Sequence, residues 1–492
     1  MLFNSYQFLI FFPAVCLVYY LIPQKIRHFW LLIASYYFYM CWNAKYALLL
    51  LTSTVITYLS GLALGRIDPD NRKKKNLVVA LSFVSNLGIL FFFKYFNFFF
   101  SLLAQGFAKA HIALNMPQVD VLLPVGISFY TFQALSYTMD VYRGQVKEER
   151  DFFRYALFVS FFPQLVAGPI ERSKNLLHQL RAPKDFNLDD AFSGILLMIW
   201  GFFLKIVVAD RIAKFVDTVY ADPTAYDGTF LIIATILFAV QIYCDFAGYS
   251  TIAMGAAKIL GIQLMENFDA PYISQSVADF WRRWHISLTS WFKDYLYIPL
   301  GGSRKGIVRK YINKMIVFLV SGLWHGASLS FVAWGGLNGL YQIAGEILMP
   351  VRTKISEALH IRRENHLIAF IRTLITFILV DFAWIFFRAG HMKDAITVIR
   401  QMVSVHDTGA LFGCALFECG IDERNFLLMI ITIGVLLITD ILKRRGIVVR
   451  DMIAGQNALT KSVIIALSVL FIMTFGIYGP AYDAANFIYF QF

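Results

Sequence analysis

The sequence predicts an all-α protein that threads a bilayer many times. Three observations carry this expectation. Of 492 residues, 58% are hydrophobic and 15% charged, with mean hydropathy +0.61, a balance that a water-soluble fold could hold only by exposing large apolar patches. Apolar runs near the length of about 20 residues needed to cross about 30 Å of hydrocarbon recur from one end of the chain to the other. Lysine and arginine gather between those runs, so the net charge of +12 speaks of orientation in a membrane rather than of nucleic acid.

Taken in order, the expected crossings are roughly residues 5–22, 28–42, 46–64, 77–103 and 121–142, then 190–208, 229–262, 311–329, 331–349, 367–388, 425–442 and 463–481, twelve in all. The first has no basic residue before it and many spans after it, which marks a retained helix rather than a cleaved signal peptide. Basic loops at Lys25/Arg27 and at 66–75, 143–154, 172–184, 352–363 and 443–450 alternate with the poorer loops 43–45, 105–120 and 407–424. The loop 208–228 is mixed, with Arg211 and Lys214 offset by four aspartates. The positive-inside rule then places the basic loops in the cytoplasm and both termini outside.

Two further apolar stretches, 155–170 and 271–300, are interrupted by proline, glycine or charge and suit re-entrant or interfacial pieces lining a cavity. Residues 392–405 repeat with helical periodicity within a long external segment and suit an interfacial helix. No internal repeat or linker is visible. A single membrane domain, 1–492, is expected, with its core at about 121–349 and an external tail at 482–492. The five cysteines have no CxxC or CxxH spacing, which argues against zinc, and only Cys414 and Cys419 are placed to pair.

The chemistry concentrates around Ser321-Gly322-Leu323-Trp324-His325-Gly326. Apolar sequence continues on both sides of His325, which puts it at bilayer depth. An ionisable group there costs several kcal/mol unless it meets a polar cavity or a partner, and is a functional candidate by default. Imidazole suits proton abstraction near neutral pH, while a plain hydrogen bond to a neighbouring helix fits the same setting.

Upstream, residues 279–295 mix three tryptophans with five charges and His285. On one continuous helix Trp281, Trp284, His285, Leu288, Trp291 and Phe292 would share a face, with Arg282, Arg283 and Lys293 reaching outward. Such a helix suits a Trp/Arg membrane anchor. With Gly301-Gly302-Ser303-Arg304-Lys305 close behind, it also suits a seat for a phosphorylated donor.

Spacing excludes several familiar chemistries. Gly248-Tyr249-Ser250-Thr251-Ile252 lacks the second glycine of a nucleophile elbow, and Ser290 and Ser330 stand where a His-x4-Asp acyltransferase would have aspartate. Neither a P-loop nor HExxH occurs. His28, His111, His178, His360, His366, His391 and His406 lie in or beside polar loops and suit solvated roles.

Five ordered motifs carry a resemblance: Phe162-Pro163-Gln164-Leu165-Val166-Ala167-Gly168-Pro169-Ile170-Glu171-Arg172, Asp245-Phe246-Ala247-Gly248-Tyr249-Ser250, Asp279-Phe280-Trp281-Arg282-Arg283-Trp284-His285, Tyr297-Ile298-Pro299-Leu300-Gly301-Gly302-Ser303-Arg304 and Gly322-Leu323-Trp324-His325-Gly326. The sequence resembles the membrane-bound O-acyltransferase superfamily, in particular the bacterial polysaccharide branch that includes alginate and peptidoglycan O-acetyltransferases and the teichoic-acid D-alanylation protein. The resemblance implies a ring of about twelve helices with re-entrant segments around a central tunnel. It makes His325 the catalytic histidine and His285 its supporting partner.

It further implies acyl transfer from a cytoplasmic thioester, acetyl-CoA by the Tyr297 to Arg304 motif, for O-acetylation of an extracytoplasmic polysaccharide. Trp284 and Trp324 would wall the passage, and Arg282, Arg283 and Arg304 would hold the donor's pyrophosphate. No metal or tightly bound cofactor is implied. The implied setting is a bacterial cytoplasmic membrane, with a secreted or membrane-anchored SGNH-type acyltransferase as partner. Twelve spans with broken helices also describe a transporter or flippase of envelope precursors, although its inverted repeat is not visible. A catalytically silent scaffold is a third class, and thioester consumption separates the enzyme from both.

The chain closes on Phe487-Ile488-Tyr489-Phe490-Gln491-Phe492. These aromatics suit an interfacial belt. The pattern F-x-Y-x-x-F also resembles the carboxyl-terminal motif of the small companion protein of D-alanylation systems, which implies Tyr489 as a transient acyl carrier. Gly476, Gly479 and Pro480 would interrupt the last helix and let the tail fold back.

Overall fold

The computed structural model describes residues 1–112, 119, 123–358, 360, 365–404, 409, 414–478 and 488. Every regular element among the described residues is helical, as the composition predicts. Among the described residues, seven helices are long and apolar enough to cross a membrane: Ala44–Arg66, Arg72–Lys109, Leu188–Ala221, Gly228–Ile259, His366–Arg388, Glu423–Arg444 and Ala458–Phe475. Five other expected crossings fall on helices that are shorter or more polar. Tyr6–Leu21, Arg27–Met40 and Ile127–Tyr142 have 16, 14 and 16 residues. Ile307–His325 begins with Arg309, Lys310 and Lys314, and Leu329–Ile347 ends near Glu346, which pairs with both lysines.

The chain gathers into two compact units. In the first, Met1–Met198 with Tyr249–Met265, the helix Ile127–Tyr142 is buried on nearly every side. Two of its buried polar groups, an amide and a carboxyl that would cost about 1–3 kcal/mol without a partner, are satisfied. Gln133 Nε2 donates to the Phe158 carbonyl at 2.6 Å, and Ser173 Oγ donates to Asp140 at 2.6 Å. The expected re-entrant stretch 155–170 is two short helices, Phe152–Ser160 and Phe162–Leu165, with residues 155–173 all buried. Asp151 caps the first by accepting from the Phe153 and Arg154 N–H groups.

The second unit comprises Ile199–Gly248 and Glu266–Phe492. Its core is aromatic, with Trp284, Trp334 and Trp384 almost fully buried. Around it run helices that bury little. Ala458–Phe475 buries none of its residues and exposes Leu467, Leu470 and Met473, a surface that hydrocarbon rather than water can cover. It stops at Gly476, where the sequence predicts an interruption. Met392–Ser404 forms the expected amphipathic helix, burying Ala395 and Val398. Cys419 is a free thiol rather than half of a disulfide.

One expectation fails. Residues 279–295 are not a continuous helix: Val277–Arg283 and Ile286–Phe292 are separate, seven residues each, and the chain breaks at Trp284 and His285. Helical spacing puts both residues on one apolar face, but tertiary packing of their rings overrides local periodicity.

Candidate active site

The second unit brings His325 and His285 together. His325 is the last residue of Ile307–His325, and the chain turns at once into Leu329–Ile347. Gly322 and Gly335 let these two helices cross backbone to backbone. A Cβ on Gly322 would lie 2.2 Å from the Phe331 carbonyl oxygen, and one on Gly335 would lie 2.2 Å from that of Phe318. Ser328 caps the second helix and donates to the Gly390 carbonyl at 2.8 Å, while Ser330 Oγ donates to the Phe386 carbonyl. Those two bonds tie the hairpin to the end of His366–Arg388 and bring Phe387 to the histidine.

His285 arrives differently. It sits at φ 45°, ψ 54°, left-handed for a residue with a Cβ, a conformation costing on the order of 1–3 kcal/mol that persists only where the surroundings impose it. Asn267 imposes it: the Ile286 N–H donates to its carbonyl at 3.0 Å and the Ser287 N–H to its side-chain oxygen at 3.3 Å. On the near side, the Trp284 N–H donates to the Phe280 carbonyl at 2.8 Å. The imidazole is therefore fixed by backbone on both flanks.

The two imidazole rings are 6.3 Å apart, centre to centre. Trp324 touches both, at 6.0 Å from His285 and 4.9 Å from His325. His325 meets Trp334 at 5.0 Å and Phe387 at 5.3 Å, each ring edge to face, and Phe246 closes on His285 at 4.7 Å. Trp334 stacks on Trp384, which packs 5.1 Å from Trp284. His285 is fully buried and His325 4% exposed. Burial alone holds the His285 imidazole well below its ordinary value, because desolvation penalises the cation. His285 lies in the break between two helices too short to span a membrane and stands there as a neutral ring.

The aromatic wall carries its own polar supports. Trp281 Nε1 donates to Asn338 at 3.1 Å, and Asn338 in turn donates to the Trp334 carbonyl at 2.9 Å. Trp384 Nε1 donates to the Tyr272 hydroxyl at 3.2 Å, which donates to the Ala239 carbonyl at 2.7 Å. The Trp281 and Trp384 indoles are thus set by a hydrogen bond as well as by packing.

The proposed donor-side residues are less tightly grouped. Trp284 is a core residue, against Phe280, Phe268 and Trp384. Arg283 pairs with Asp269 and, at 3.2 Å, with Asp279, which gives it a structural task. Arg282 and Arg304 are exposed. Gly301 and Gly302 take φ values of 108° and 56°, and Asn313, buried within the His325 helix, donates to the Gly302 carbonyl at 2.9 Å. The glycine loop before Arg304 is therefore fastened to the helix that ends in His325. Tyr489 lies outside the described residues.

Residues 146–386 match the model of the MBOAT, membrane-bound O-acyltransferase, family, a stretch containing both histidines. The probable alginate O-acetylase AlgI of Pseudomonas aeruginosa is 37% identical over 410 residues, 82% of this chain and 75% of that protein. The peptidoglycan O-acetyltransferase of Helicobacter pylori is 34% identical over 443 residues, 82% of this chain and 80% of that protein. The chain belongs to the membrane-bound O-acyltransferase family. A teichoic acid D-alanyltransferase of Bacillus subtilis is 29% identical over 237 residues, 46% of this chain and 60% of that protein.

Membership makes the chain an O-acyltransferase, and the transporter and scaffold classes fall away. The structure adds other groups to the candidate site of this O-acyltransferase. Lys205, Asp210 and Asp245 are buried together, and Asn267 and Asn338 brace the site. The rule that flags His325 as an ionisable group in apolar sequence applies equally to Lys205, within Phe202-Phe203-Leu204-Lys205-Ile206-Val207-Val208. The asparagines carry no such signal, because their role depends on which backbone they meet.

Proposed function

We propose that the chain acetylates an extracytoplasmic polysaccharide, taking acetyl groups from cytoplasmic acetyl-CoA and passing them across a bacterial cytoplasmic membrane. The observation that carries this is the enclosure of two imidazoles, 6.3 Å apart, by indole and phenyl rings. His325 acts as general base. As an acceptor hydroxyl attacks the thioester carbonyl, the new C–O bond forms, the C–S bond breaks, and the proton taken by His325 passes to the leaving thiolate. Proton transfer of this kind contributes about 10²–10⁴-fold, and the thioester is already activated. Neutral His285 orients the acceptor or donates to the carbonyl oxygen as charge develops there. Trp284 and Trp324 wall the passage, and the aromatic surroundings keep competing water away.

Arg304 and Arg282 receive the donor's phosphates at the cytoplasmic mouth, and both termini lie on the outer face. Tyr489 is the first acceptor: its phenol takes the acetyl group, and the resulting aryl ester is reactive enough to pass it to a secreted or membrane-anchored SGNH-type acyltransferase. The relatives' names, alginate O-acetylase and peptidoglycan O-acetyltransferase, support acetyl as the group and a polysaccharide as its destination. The test is vectorial transfer in proteoliposomes. With labelled acetyl-CoA on one side, label is expected to reach the protein tail and then an acceptor on the other. Label that never leaves the donor side contradicts the proposal.

A further inference from the structure

Ile488 does not sit in lipid. The helix before it, Ala458–Phe475, buries none of its residues, yet Ile488 is 3% exposed and belongs to the same buried core as Trp334 and Phe387, the rings that pack on His325. Its N–H donates to Asp245 Oδ2 at 2.9 Å. Asp245 is 2% exposed and its other oxygen lies 2.5 Å from Lys205 Nζ, which also bonds Asp210 at 2.8 Å.

Lys205 stands in a π-helical stretch, Phe203–Ala209, an irregularity that recurs at functional sites. The same stretch and the helix after it hold the chain a second time. Beyond the last helix, the Ile477 N–H donates to the Ile206 carbonyl at 2.8 Å, and Arg211 donates to the Phe475 carbonyl at 2.6 Å. Three buried charges cost several kcal/mol of desolvation, and replacing such groups by apolar ones is often neutral or stabilising, so their presence calls for a task beyond stability. The task on view is to hold backbone.

We propose that Asp245, oriented by Lys205, is the seat that retains the carboxyl-terminal segment, at Ile488, within the core of the unit carrying His325. This deepens the carrier role proposed for Tyr489 and rests on it for its meaning in acyl transfer. Asp245 and Lys205 are positioning residues: they touch the chain rather than the donor. The seat differs from an interfacial belt, which needs no buried charge and no hydrogen bond from the tail to the core.

The experiment is limited carboxypeptidase digestion of the full-length, detergent-solubilised protein, followed by intact mass, alongside transfer of label from acetyl-CoA. In the wild type, trimming is expected to halt before Ile488. Asp245→Ala should let it run past Ile488 at a rate raised about tenfold or more, the size of one hydrogen bond to a buried charge. Asp245→Asn, which keeps an acceptor oxygen, should restore the halt.

Ile488→Ser removes a buried side chain and releases the tail from its own side while leaving Lys205, Asp210 and Asp245 paired, so it should lower the melting temperature and speed trimming as Asp245→Ala does. Both releasing variants should lose kcat while the KM for acetyl-CoA stays unchanged, and Asp245→Asn should recover kcat. Equal trimming in the wild type, Asp245→Ala and Ile488→Ser overturns the seat. Faster trimming with undiminished polymer acetylation keeps the seat and removes the carrier role from Tyr489.

Discussion

His285 lies 6.3 Å from His325, ring centre to ring centre, and reaches that position through a left-handed backbone that Asn267 holds from the other side. The pair is thus set by main-chain geometry, and a change at one imidazole can be made without moving the other.

The first prediction follows from that backbone. Asparagine tolerates the left-handed region better than other residues with a Cβ, so His285→Asn should melt close to the wild type. His285→Ala and His285→Asn should both lower kcat by about 10²-fold, the scale of losing one positioned donor to a developing oxyanion, with the KM for acetyl-CoA little changed. Steady-state kinetics with labelled acetyl-CoA measures both. A raised KM at constant kcat would make His285 a donor-binding group instead.

The second concerns the helix crossing beneath the site. Gly322→Ala places a methyl 2.2 Å from the Phe331 carbonyl oxygen, whereas a methyl on Gly336 meets only Leu319, at 3.6 Å. Overpacking at the first position should cost about 1–3 kcal/mol or more, with a lower melting temperature in detergent and a displaced His325. Gly336→Ala should be near neutral. Equal melting temperatures for the two variants would show that the crossing yields.

The third separates the arginines. Arg304→Ala should raise the KM for acetyl-CoA more than it lowers kcat, the pattern of lost uniform binding. The effect should vanish with acetyl-pantetheine, which lacks the nucleotide phosphates. Arg283→Ala should instead lower thermal stability, because Asp269 and Asp279 lose a partner. An unchanged donor KM for Arg304→Ala would assign that side chain to lipid headgroups.

The fourth concerns the tail. Tyr489→Phe removes one hydroxyl and should preserve folding and donor binding while polymer acetylation is lost. Polymer acetylation at the wild-type rate would return the tail to the role of an anchor.

Much of the fold, and part of the candidate site, is legible in the sequence for identifiable reasons. Apolar length marks helices directly, so Gly228–Ile259 and His366–Arg388 lie within a few residues of their expected positions. An imidazole flanked by apolar residues on both sides is conspicuous, so the order of residues alone singles out His325. The break at Trp284 and His285 is not legible, because the apolar residues from Trp281 to Phe292 share a helical face and the opposing bonds come from Asn267, 20 residues before Ser287 and unremarkable in type. Nor is the paired set of Lys205, Asp210 and Asp245, since the third member comes from a different helix.

If His325 removes the acceptor's proton, its loss leaves acyl transfer without a base. The most direct test is transfer from labelled acetyl-CoA by His325→Ala, compared with wild type at equal folded concentration and saturating donor. Its kcat should fall about 10²–10⁴-fold with donor binding retained. Transfer by His325→Ala at the wild-type rate would contradict proton removal by His325.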